Sequence, residues 1–115
     1  MSSISMSGRK MHVVSTDPSG EVGSDTIFHF DQDGSIVTAR YAGGKIRIGY
    51  LVGKIDGAVL EFRYAQVNVE NNIDGGHSTC EIGKLENGEL QLIERFKWSS
   101  REGTGTNVYE EIKTE

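Results

Sequence analysis

Apolar and polar residues alternate with a period of two along most of the chain. Leu60, Phe62 and Tyr64 share one side of a segment whose other side carries Glu61 and Arg63. Leu90, Leu92, Phe96 and Trp98 oppose Gln91, Ile93, Arg95 and Lys97, while Ser78, Cys80 and Ile82 oppose Thr79, Glu81 and Gly83. The same reading puts Ile46, Ile48, Tyr50 and Val52 together, against Lys45, Arg47, Gly49 and Leu51. Successive side chains of a strand point to opposite faces, so this pattern predicts half-buried β-strands. Nowhere does apolar spacing near 3.6 run free of glycine or β-branched residues, and no helix is expected.

Turn signals divide the pattern at nearly regular intervals. Asp17-Pro18-Ser19-Gly20 reads as a β-turn, and Asp33-Gly34, Gly43-Gly44, Asp56-Gly57 and Asn87-Gly88 as tight hairpins. Residues 71–76 and 101–105 read as longer loops. Between the turns lie eight predicted strands, at about 9–15, 24–31, 35–42, 45–55, 58–70, 77–86, 89–100 and 106–113. A sheet with one dry side must fold over itself, and short links make sequence neighbours pair. The expected fold is all-β, a single up-and-down antiparallel barrel of about eight strands. Residues 1–7 are expected to be a flexible tail and 8–115 the barrel domain. An eight-stranded interior is either filled by side chains or just able to hold one small ligand.

Composition reinforces this picture. Ile, Val and Thr number 26 against 9 for Ala and Leu, and β-branched side chains fit a pleated surface better than a helix. Twelve basic against 17 acidic residues leave a net charge of −5, which argues against a nucleic-acid partner. No apolar run is long enough to span a bilayer as a helix, and the first seven residues lack the pattern of a signal peptide. A cytoplasmic location is expected, with no membrane partner. A single cysteine, Cys80, excludes an internal disulfide and a multi-cysteine zinc site.

Candidate chemistry lies in carboxylates on apolar faces. Glu94 falls between Leu92 and Phe96, and Glu110 between Val108 and Ile112 on what should be the neighbouring strand. A carboxylate among apolar side chains must be paired, hydrogen-bonded or protonated. Tyr50, Tyr64 and Gln66 are the expected donors to Glu94, with Arg40 preferred outside, and Trp98 could close or line a cavity. Cys80 points inward with no base on its side of the strand and reads as inert. His12, His29 and His77 are scattered, so no metal site is expected. Asp31 to Gly34 lacks the remaining ligands of a calcium loop and reads as a turn. The outward Lys45, Arg47, Arg63, Arg95 and Lys97 suit solubility and cross-strand pairing.

From Gly8 to Lys113 the chain resembles a family of small bacterial proteins. The matching features are Gly8-Arg9-Lys10, Ser15, Glu21-Val22, Thr26 to Phe30, Tyr41 to Gly44, Ile48-Gly49, Phe62-Arg63-Tyr64, Glu94 with Phe96-Lys97-Trp98, and Glu110-Glu111-Ile112. Members often carry the name N-acetylglutamate synthase, and the resemblance implies a small calycin-like barrel. The residues do not support the enzyme name. Coenzyme A binding calls for a pyrophosphate cradle, usually a glycine loop feeding a helix N-terminus, and here Gly75-Gly76 and Gly103-Thr104-Gly105 lead into strands. The expected function is a non-catalytic module holding a small ligand, without a cofactor, lined by Tyr50, Tyr64, Gln66, Glu94, Trp98 and Glu110. The alternatives are an enzyme using Glu94 or Glu110 as acid or base, and a filled barrel acting through its surface as a homo-oligomer.

Overall fold

The computed structural model describes residues 4–18 and 20–112. Eight strands follow one another: β1 (Lys10–Ser15), β2 (Ile27–Asp33), β3 (Ile36–Gly43), β4 (Ile46–Asp56), β5 (Val59–Asn68), β6 (Ile73–Lys84), β7 (Leu90–Trp98) and β8 (Thr104–Glu111). Each pairs antiparallel with the next, and β8 returns to β1 to close the barrel. Closure leaves no free edge. The glycines of the four predicted hairpins, Gly34, Gly44, Gly57 and Gly88, have φ of 62°, 62°, 60° and 86°, as tight turns require.

Three local departures from the expected pattern decide what faces inward. In β4 a bulge between Ile46 and Ile48 adds one residue and inverts the alternation beyond it. Gly49 and Leu51 therefore point into the barrel, whereas Tyr50 stands on the outer face, 58% exposed. Gly49 is opposite Tyr41 on β3, and a Cβ there would lie 2.3 Å from the Tyr41 ring. The missing side chain is the space that the ring occupies.

In β8 the inward set is Asn107 and Tyr109, so Val108 and Glu110 face outward and Glu110 does not join Glu94 inside. Glu94 is directly opposite Asn107, and opposed residues of an antiparallel pair share a face. The expected loop at 71–76 is shorter than predicted, because β6 already begins at Ile73 opposite Val67. Asn68 Oδ1 accepts the N–H groups of Glu70 and Asn72 at 3.0 Å each and holds the turn. Gly76 is a strand residue, and Tyr64 lies across it, its hydroxyl 2.7 Å from where a Cβ would be.

The two ends of the barrel differ. At one end Met6 is completely buried in the core, with its N–H on Gln32 Oε1 at 2.8 Å, and Ile4 packs beside it. Within residues 4–7, Met6 and Ile4 pack against the core while Ser5 and Ser7 are exposed; residues 1–3 lie outside the described residues. At the other end, the mouth, residues 16–26 connect β1 to β2. Strand β2 was expected from residue 24; it starts at Ile27, and the longer connection crosses the opening. Thr26 anchors it, accepting the Gly23 N–H at 3.1 Å and donating to the Gly43 carbonyl at 3.0 Å. The predicted turn at its start is present, with Gly20 N–H on the Asp17 carbonyl at 2.9 Å.

Candidate functional site

Below the mouth the barrel holds a small cavity with aromatic walls. Phe28, Tyr41, Phe62, Tyr64, Phe96, Trp98 and Tyr109 line it, together with Gln66, Glu94 and Asn107, and Glu21 and Val22 cover it from the β1–β2 connection. Tyr41 stacks on Phe28 with centroids 4.4 Å apart, and Tyr64 meets Trp98 edge-on at 5.7 Å. The space open to water centres is about 20 Å³. That is room for about one water molecule, far less than a drug-sized ligand needs.

Glu94 is only 3% exposed and points into this cavity. Its Oε2 accepts from Ser78 Oγ at 2.5 Å, and its Oε1 accepts from Tyr109 Oη at 2.5 Å and Asn107 Nδ2 at 3.0 Å. Thr16 Oγ1 donates to Asn107 Oδ1 at 2.7 Å and fixes the amide orientation. The expected donors were Tyr50, Tyr64 and Gln66. Strand register supplies Ser78, Asn107 and Tyr109 in their place. Burial pushes the Glu94 carboxyl above its ordinary range, and the three hydrogen bonds act against that rise by favouring the charged form. Burial, with the Glu94 charge, also raises the hydroxyls of Tyr41 and Tyr109 and the thiol of Cys80. Those groups stay protonated, and burial disfavours the reactive thiolate form of Cys80.

A second polar group spans the mouth. Gln66, buried on β5, accepts from Tyr41 Oη at 2.8 Å and donates to Glu21 Oε1 at 2.9 Å. Asn68 Nδ2 donates to Glu21 Oε2 at 2.8 Å. Arg101 approaches the same oxygen at 3.9 Å, stands 3.9 Å from Asp74, and lies 4.1 Å over the Trp98 ring. Among the described residues every buried side-chain nitrogen and oxygen has a hydrogen-bond partner.

Of the six residues singled out in the sequence, Tyr64, Gln66, Glu94 and Trp98 come together at this cavity, and Tyr50 and Glu110 lie outside it. Arg40 is exposed, on the side preferred for it. Glu21, Tyr41, Ser78, Asn107 and Tyr109 were not assigned to the site. Ser78 shares the inward face of Cys80 in the sequence pattern, but nothing there links it to Glu94. Asn107 and Tyr109 share the face of Glu94 through the β7–β8 register, in which Glu94 falls opposite Asn107, and the sequence alone does not fix that register. Glu21 sits in an irregular connection, where no periodicity marks it.

A carboxylate offers about four acceptor positions, and three donors leave one free on Glu94. None of the residues lining the cavity is a lysine or arginine. The floor therefore presents a carboxyl acceptor with no cation among the residues that line the cavity. No curated protein and no solved structure matches the chain. A family model described as avidin-like protein matches residues 4–112, a span that takes in all eight strands and agrees with the calycin-like barrel expected. The chain belongs to the avidin-like protein family.

Proposed function

We propose that this barrel binds a small molecule carrying a cationic or N–H donor group, which enters at the mouth and sets that group against Glu94. The observation that carries the reading is a carboxylate buried among aromatic rings with three neutral donors and no counter-cation. Burying such a charge is expensive, and a ligand that brings the missing positive charge or a strong donor recovers part of that cost. The surrounding rings suit a flat or apolar body attached to the donor group. Entry requires Glu21 and Val22 to move, since they cover the cavity.

A panel of alkylammonium, amidinium, neutral amide and diol compounds, scored by thermal stabilisation, tests the proposal. Cationic members should stabilise the wild type and lose that effect in Glu94→Gln. Equal responses of wild type and Glu94→Gln would count against it. The small resting cavity favours a second reading, a filled barrel that acts through its surface. Ile36, Tyr50 and Val52, each more than half exposed on β3 and β4, would then be contact residues between copies. A stable oligomer combined with silence across the whole panel would select that reading.

A further inference from the structure

We infer that the Glu21 carboxylate is an internal stand-in for an anionic group of the ligand, so that the barrel takes molecules with a carboxylate at one end and a cationic group at the other. This rests on the Glu94 reading for the cationic end, while the anionic end has its own evidence. Both oxygens of Glu21 are held by amide donors of β5, Gln66 Nε2 and Asn68 Nδ2, from residues that are 3% and 5% exposed. Arg101 adds positive charge beside Oε2. Two buried amides and a guanidinium converging on one carboxylate form a built anion site. The residue that fills it arrives on an irregular connection and belongs to no strand.

Glu21 is also a wall. With Gly20 it lines the interior cavity on one side, and on the other an open groove of about 500 Å³ shared with Lys45, Asn68 and Arg101. Withdrawal of the Glu21 side chain joins the groove to the cavity and frees the amide donors in the same movement. A ligand carboxylate can then satisfy Gln66 and Asn68, so the buried amides lose no hydrogen bond in the exchange. A ligand without an anion would leave them unpaired and compete poorly with Glu21. The strap thus selects for a carboxylate as well as covering the mouth.

Chemical rescue of Glu21→Ala tests this, with melting temperatures compared in sodium acetate and in sodium chloride of equal ionic strength. The variant should melt below wild type in chloride and recover saturably in acetate, to which wild type is indifferent. Adding Asn68→Asp, which keeps the acceptor for the 68–72 turn but replaces the donor, should abolish the rescue. The ω-amino acids from 4-aminobutyrate to 6-aminohexanoate should include one that binds Glu21→Ala about tenfold more tightly than wild type, because the internal competitor is gone. An acetate response no larger than the chloride response overturns the inference. If Glu21→Ala folds in neither salt, Glu21→Gln carries the test, and an affinity for the ω-amino acids equal to wild type overturns it. Propylammonium chloride, titrated into Glu21→Ala with acetate occupying the Gln66 and Asn68 amides, separates the two readings. Acetate rescue without a Glu94-dependent response to propylammonium supports the mouth site and removes the Glu94 end, and the opposite pattern removes the mouth site alone.

Discussion

Tyr109 on β8 gives its hydroxyl to Glu94 Oε1 across the β7–β8 ladder at 2.5 Å, while its ring meets Phe28 edge-on with centroids 4.9 Å apart. One side chain thus serves both the polar floor and the aromatic wall. Tyr109→Phe keeps the ring contact and removes one donor from a buried carboxylate. The expected loss is about 1–3 kcal/mol of stability at neutral pH, measured by denaturant unfolding. The Glu94 carboxyl should titrate higher still in this variant.

Glu94 makes stability depend on pH in a predictable direction. Its carboxyl is raised in the folded protein, by burial above all, so the folded chain holds that proton more tightly than the unfolded chain does. The contribution is fully present below the unfolded value of about 4.3 and is lost as pH rises through the folded value. Relative to Glu94→Gln, wild type should therefore lose stability over that interval and then level off. Paired unfolding curves across pH check it, and a difference that stays constant would contradict it.

Gly49 tests the packing of Tyr41. Gly49→Ala forces a Cβ into the ring and disturbs the Tyr41 to Gln66 hydrogen bond, with an expected cost of about 1–3 kcal/mol. Gly83 has no atom within 4 Å of an added Cβ, so Gly83→Ala should be neutral or slightly stabilising in the same unfolding assay.

Met6 fills the end of the barrel remote from the mouth. Met6→Ala should cost about 2–5 kcal/mol, the range for truncating a buried long side chain. A change near zero would contradict the packing of Met6 in the core.

Much of this architecture was legible because alternation and turn chemistry agreed. Strand count, neighbour pairing and the inward orientation of Tyr64, Gln66, Glu94 and Trp98 follow from period-two patterns that no bulge interrupts. Tyr50 was misplaced because one extra residue at Ile46–Ile48 inverts every later side chain, and a bulge leaves no mark in hydrophobicity alone. Glu110 was misplaced because Val108 and Ile112 made the outer face look apolar. The inner face of β8 is polar where it meets Glu94, so apolar count was the wrong guide there. Met6 and Glu21 share a different reason. Both lie in segments without regular structure, and their burial is set by distant strands.

The most direct test of the Glu94 assignment is its side-chain carboxyl 13C resonance, followed while the alkylammonium and amidinium compounds are titrated into the protein. At least one cation should move that resonance saturably, and by more than any other carboxylate of the barrel. A Glu94 resonance that stays fixed at saturating concentrations of every cation tested would contradict the account.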